Sequence, residues 1–250
     1  MSDPTAATNS TSNVEPAWRR AAMPQSQRFQ EQVDISFAQD IVVHVTQNID
    51  TGSCLWDAAL VLGSYFANEQ VFPGDYWHGK KVCEIGAGCG VTGIVVARLG
   101  ADVVLTELED ELKLLQKNVD ENPILPSYSS VKQAIPRTES IVAKEFFWGS
   151  DTSHLGGPFD VIIAADCVYE LQLFDMLVKA LVDITSPHTR AYFCIEHRWS
   201  DIEQWWWKEI KKHFNVRIIP QAQHGTYCHS KIDIYELRRK VYLMPQTANS

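Results

Sequence analysis

The chain has 250 residues, 45% of them apolar, and a formal net charge of −9. That size and apolar share suit one α/β domain with a tail. The acidic balance repels a phosphate backbone, so no nucleic-acid partner is expected, and a basic acceptor such as a lysine-bearing protein surface is favoured. No apolar run reaches the roughly 20 residues of a membrane helix, which argues against a membrane partner.

Residues 1–27 are rich in Ser, Thr, Pro, Ala, Asn and Gln and read as a disordered tail without a signal core. A single domain is expected over 28–240, with an N-terminal extension over 28–79, a core over 80–240 and a C-terminal tail over 241–250. Val33, Ile35, Phe37, Ile41, Val43 and Val45 alternate, which predicts two short strands able to pair as a hairpin. Helix-spaced apolar residues cover 55–69. From Lys80 onward strand and helix alternate: strands at 80–85, 102–106, 141–147, 160–165 and 191–195, helices at 91–99, 109–119, 171–185 and 201–213. Pro123, Pro126 and Pro136 mark 121–140 as a long loop. Strands at 214–219 and 231–237 have no helix between them and should be antiparallel. The expected fold is α/β: a doubly wound, mostly parallel sheet with helices on both faces and an antiparallel last strand. Trp205, Trp206 and Trp207 turn by 100° per residue on the last helix, so they cannot share one face. An interface anchor and packing against the N-terminal strands are both open for them.

The six cysteines form no CxxC pair and mostly sit in apolar runs, which suits a reducing compartment. A cytoplasmic, and also nuclear, location is expected. His224, Cys228 and His229 are the nearest approach to a metal cluster, but a polar loop is the commoner explanation, and no metal is expected.

Residues 84–90 read EIGAGCG, a strand running straight into a glycine-rich turn and then a helix. Such a turn lies at the carboxyl end of a strand, where open α/β sheets bind ligands. The dinucleotide fingerprint GxGxxG fails, because Val91 stands where the third glycine should be. The pattern is acidic-x-GxGxG, starting at Glu84, and resembles motif I of the class I methyltransferases, whose cofactor is S-adenosylmethionine. Glu107 follows the second core strand, 21 residues after Gly86, where a carboxylate can accept both ribose hydroxyls. An exposed glutamate at a strand end is the bland alternative.

The segment FDVIIAADCVY (159–169) ends a strand in Asp166-Cys167-Val168-Tyr169. This D-x-x-Y resembles the seven-strand protein-lysine methyltransferases of the methyltransferase-like 21 group (family 16). GSCLWDAAL at 52–60 and FWG at 147–149 are similar to two further segments of that group. The resemblance covers about 40–240 and implies a Rossmann-like seven-stranded sheet, S-adenosylmethionine as cofactor and a lysine on a non-histone protein as acceptor. It carries cofactor contacts onto Trp56, Glu84, Gly86, Ala87, Gly88, Glu107, Trp148 and Ala165. The acid after the second strand is commonly Asp in the group and is Glu107 here.

The chemistry agrees with these roles. Adenine stacks on indole, and a sulfonium favours aromatic faces and carboxylates. Asp166 can accept a hydrogen bond from the acceptor amine, and Tyr169 can wall its channel; both are the expected catalytic residues. The plain alternatives are Asp166 as the N-cap of the helix near Leu171 and Tyr169 as core. Glu196 and Arg198 (with His197 between them) follow the fifth core strand and are candidate substrate-pocket residues. The rival functions are an enzyme of the same fold acting on protein histidine or a small amine, an inactive binding module, and a nicotinamide-dependent oxidoreductase. A monomer is expected.

Overall fold

The computed structural model describes residues 31–48, 53–124 and 141–241. The expected N-terminal tail lies outside the described residues, as do the Pro-rich loop apart from 121–124 and the C-terminal tail apart from 241. An antiparallel hairpin, β1 (Gln32–Ser36) and β2 (Val42–Thr46), comes first, then helix α1 (Asp57–Phe66). The core follows as β3 (Lys81–Ile85), α2 (Val91–Arg98), β4 (Asp102–Glu107), α3 (Leu112–Glu121), β5 (Ile141–Glu145), β6 (Val161–Ala165), α4 (Phe174–Ile184), β7 (Arg190–Glu196), α5 (Ser200–His213), β8 (Phe214–Ile219) and β9 (Ile232–Arg239). The helices predicted from 109 and 171 each begin with a 3-10 turn, Glu109–Glu111 and Leu171–Leu173, an ordinary tightening at helix starts.

The seven core strands form one sheet in the order β5-β4-β3-β6-β7-β9-β8. β3 to β7 pair in parallel, and β9 runs antiparallel to both β7 and β8. Strand order reverses beside β3, so the carboxyl ends of β3 and β6 flank a topological switch point. Both faces are covered. Val82, Val103, Leu105 and Ile163 share a core with α1 and α2, while Cys83, Ile85, Ile162 and Phe193 share one with α4 and α5. Two-sided burial is why these strands read as continuous apolar runs.

The hairpin docks on α3 through two buried asparagines. Asn118 accepts from Thr46 N–H at 2.8 Å and donates to Thr46 carbonyl at 2.8 Å. Asn122 does the same for His44, at 2.9 and 2.6 Å. The match is geometric: four helical residues advance about 6 Å and two strand residues about 6.7 Å, so the two amides meet alternate residues of the β2 edge. Asn118 also donates to Cys89 carbonyl at 3.0 Å, tying the glycine turn to the same clamp.

The three tryptophans of α5 splay as their angular spacing requires. Trp206 is fully buried, with ring centroids 5.5 Å from Phe174 and from Phe193. Trp205 lies half-buried beside Phe174, and Trp207 beside Tyr235 of β9. They therefore pack on α4, β7 and β9 rather than on the N-terminal strands. Trp206→Ala should cost about 3–5 kcal/mol of stability in urea unfolding, and Trp205→Ala and Trp207→Ala clearly less. Equal losses at all three positions would contradict this packing.

Candidate active site

The loops that leave β3, β4, β5, β6 and β7 converge on a cavity of about 390 Å³ at the carboxyl edge of the sheet. Of the residues singled out in the sequence, Trp56, Gly86, Ala87, Gly88, Glu107, Trp148, Ala165, Asp166, Tyr169 and Arg198 line it. Glu84 and Glu196 do not.

Gly86 adopts φ +60°, and a Cβ there would lie 3.0 Å from Cys167 Sγ and 3.1 Å from the Trp148 indole. Only glycine accommodates both the conformation and the closeness. Glu84 points away from the cavity, beneath α2. Its carboxylate accepts Gly93 N–H at 2.8 Å, and its carbonyl accepts the Thr106 hydroxyl at 2.8 Å. Burial pushes its carboxyl up to about 8. Glu84 therefore supports the turn from below and does not line the cavity. A Cβ on Gly93 would lie 2.2 Å from Leu105 and 2.7 Å from the Glu84 carboxylate. The close helix-to-strand approach that a dinucleotide fingerprint assigns to its third glycine falls here on Gly93.

Glu107 ends β4, and burial lifts its carboxyl to about 7, with Leu108 N–H opposing at 3.2 Å and Glu111 adding to the rise. It is partly buried and lines the cavity, so it is not the exposed strand-end glutamate of the bland reading. Trp56, the residue before α1, and Trp148, after β5, place two indoles in the lining.

Asp166 has φ +59°, a conformation that costs a non-glycine residue about 1–3 kcal/mol and gathers at functional sites. Its N–H donates to Cys194 carbonyl at 2.8 Å, and its Oδ1 accepts Glu196 N–H at 3.4 Å. Arg198 Nη2 lies 2.7 Å from Oδ2, with both side chains under 10% exposed. That contact is a close ion pair. Burial raises the Asp166 carboxyl, and Arg198 opposes the rise. The same guanidinium bonds the Glu196 carboxylate and stands 5.1 Å from the Trp56 ring centroid. Glu196 thus acts from behind Arg198.

Asp166 caps no helix, since the turn at Leu171 starts after Glu170. Tyr169 is 49% exposed at the mouth and is not core; burial of its hydroxyl pushes it up to about 12. His197 stays out of the cavity lining, its ring between Glu203 at 2.5 Å and Asp233 at 2.9 Å. Burial lowers its pKa, yet the two carboxylates leave it raised overall. The sequence reading missed Phe147, Leu173, Met176 and Trp199, which also line the cavity. Phe147 and Trp199 neighbour residues that were named, and the strand-end rule would have found them. Among the described residues no group of three His, Cys, Asp or Glu could hold a metal, and buried His224 meets Ile219 carbonyl at 3.3 Å.

Residues 35–213 match a protein family described as lysine methyltransferase. The chain belongs to that family. It is 29% identical over 201 residues to EEF1A lysine methyltransferase 3 of Mus musculus, covering 78% of each chain. It is 31% identical over 172 residues to Protein N-lysine methyltransferase METTL21A of Danio rerio, covering 68% of this chain and 72% of that one. Among solved structures, the T. thermophilus 16S rRNA N2 G1207 methyltransferase RsmC, in complex with AdoMet and guanosine, superposes with TM-score 0.53 at 14% identity. That match covers 84% of this chain and 50% of RsmC and bears on the fold alone. The family member described here is an S-adenosylmethionine-dependent protein-lysine methyltransferase, so neither the oxidoreductase nor the inactive module describes it. Its cavity has the groups that such a cofactor needs: a cradle closed to any Cβ at Gly86, indoles that an adenine could stack on, and a carboxyl that a diol could reach.

A carboxyl with a pKa of about 7 accepts hydroxyl donors well above that pH and poorly below it. Isothermal titration with S-adenosylhomocysteine should therefore show affinity rising several-fold as pH increases through about 7. Glu107→Gln should bind more weakly and with a flat pH profile. An unchanged profile in the variant would remove Glu107 from the binding site.

Proposed function

We propose that this enzyme methylates a lysine of a folded non-histone protein, with Asp166 receiving the acceptor amine and Tyr169 walling its channel. The observation that carries this assignment is Asp166 itself, a buried carboxyl in a left-handed backbone conformation that lines the cavity beside Arg198. S-adenosylmethionine, when bound, would supply an electrophilic methyl with a neutral thioether as leaving group. The acceptor must arrive neutral, although the reference pKa of lysine is about 10.4. An apolar channel disfavours the ammonium. A carboxylate that accepts one N–H leaves the amine lone pair free to point along the transfer axis, which positions it for in-line attack.

Arg198 supports this role. Burial raises the Asp166 carboxyl toward its protonated form, and a protonated acid offers a donor where an acceptor is needed. The guanidinium beside it opposes that rise and favours the carboxylate. Trp56, Gly86, Ala87, Gly88, Glu107, Trp148 and Ala165 hold the cofactor in this proposal, with Glu84 supporting the turn. The name of one relative gives EEF1A as its acceptor, which supports a protein acceptor here. We further propose a monomer that binds neither nucleic acid nor membrane, in the cytoplasm and also the nucleus. The six cysteines form no disulfide among the described residues, which suits a reducing compartment.

Purified protein incubated with methyl-tritiated adenosylmethionine and a cell lysate should label a discrete band, with the methyl located on lysine by mass spectrometry. Asp166→Ala should lower transfer by about 100-fold or more while S-adenosylhomocysteine affinity stays within about threefold. Equal activity in mutant and wild type would take Asp166 out of the mechanism. Arg198→Met should move the acid limb of the transfer profile to higher pH, because the burial-raised Asp166 loses its counter-charge, and Arg198→Lys should restore it in part. An unmoved limb would show that Arg198 does not tune Asp166.

A further inference from the structure

Among the described residues, eight large apolar side chains stand 40–64% exposed. Five of them, Leu108, Phe147, Tyr169, Leu171 and Trp199, sit on the four loops that leave β4, β5, β6 and β7. Four of the five line the cavity described above, and Leu171 is two residues from Tyr169. Clustered exposure of this kind marks an interaction surface, because scattered single residues would be the ordinary pattern.

The same loops are strongly acidic. Segments 107–112, 146–152, 166–175 and 196–204 carry eleven of the chain's 31 carboxylates, one arginine and no lysine. That arginine, Arg198, is buried against Asp166 and Glu196 and offers no positive charge to the rim. Glu109, Asp110, Glu170, Asp175 and Asp201 are exposed around the apolar residues. Within the cavity they surround, the nearly buried Asp166 is ion-paired with Arg198. Apolar side chains and exposed negative charge are two separate features of one surface.

We propose that these four loops form a single docking surface for a basic segment of the substrate protein, in which the acceptor lysine has an apolar neighbour and further Lys or Arg residues nearby. This rests on the lysine methyltransferase reading and narrows it from a lysine to a lysine in a stated context. The apolar neighbour covers the exposed rim, and the extra cations meet the exposed carboxylates. Acidic segments are excluded by like-charge repulsion, which supplies selectivity without a close-fitting groove.

The test uses the full chain saturated with S-adenosylhomocysteine and three fluorescent synthetic peptides, each with one central lysine. One peptide has Arg and Leu around the lysine, one Arg and Ser, and one Glu and Leu. By anisotropy the Arg/Leu peptide should bind roughly tenfold tighter than either of the others and weaken steeply with added KCl. The double variant Glu170→Lys/Leu171→Ser lies outside the cavity lining, so its S-adenosylhomocysteine affinity should be unchanged while the Arg/Leu peptide loses most of its advantage. Equal binding of the three peptides, no binding of any, or a preference unmoved by the double variant would each overturn the proposal. If S-adenosylhomocysteine binds and lysate protein is labelled on lysine while the peptide preference is missing, the docking proposal falls alone. If the cofactor product does not bind and nothing is labelled, the enzymatic reading falls with it.

Discussion

Beneath the glycine turn, Glu84 of β3 is buried with its carboxylate on the Gly93 amide and its carbonyl under the Thr106 hydroxyl. A buried carboxyl must be hydrogen-bonded to be tolerated, and this one draws its partner from the first turns of α2. The helix can approach that closely only because Gly93 lacks a side chain. With α2 pinned to β3 and β4, the residues between them have no slack. They fold into the compressed turn whose Gly86 lies against Trp148 and Cys167. Linkage follows the same tie. Its folded pKa, about 8, lies above the ordinary glutamate value, so its contribution to stability is full below about 4.5 and is lost as pH rises through about 8.

Arg198 links the two halves of the cavity. On one side it faces the Trp56 indole, and on the other it neutralises Asp166, with Glu196 as a second counter-ion. Burying such a triad is seldom favourable for stability alone. The Arg198 charge opposes the rise that burial imposes on the Asp166 carboxyl next to apolar walls. His197, one residue earlier, is fastened between Glu203 of α5 and Asp233 of β9, so the backbone that carries Arg198 is anchored on both flanks.

Much of this was legible in the chain. β6 reads as an unbroken apolar run because α-helices cover both of its faces, and the D-x-x-Y segment then falls at its carboxyl end, where ligands bind. Glu84 was misplaced because motif reading groups the acid with the turn that follows it. Strand alternation sets it instead with Val82, on the α2 side, opposite Cys83 and Ile85. The Asp166–Arg198 pair was not visible, since sequence shows two charges on separate loops and says nothing of which meet. Asn118 and Asn122 looked like ordinary polar residues near a helix end. Their hairpin partners are backbone groups more than 70 residues away, supplied only by the tertiary fold.

The asparagine clamp also protects the protein from itself. An exposed strand edge is a template on which another chain can add a strand and seed aggregation. The hairpin's β2 edge, apolar on one face, would be such a template. Two side-chain amides occupy its backbone donors and acceptors at His44 and Thr46, imitating a neighbouring strand without being one. Helix α3 therefore closes the β2 edge against growth, so that side of the small two-stranded sheet cannot recruit a third strand from another molecule.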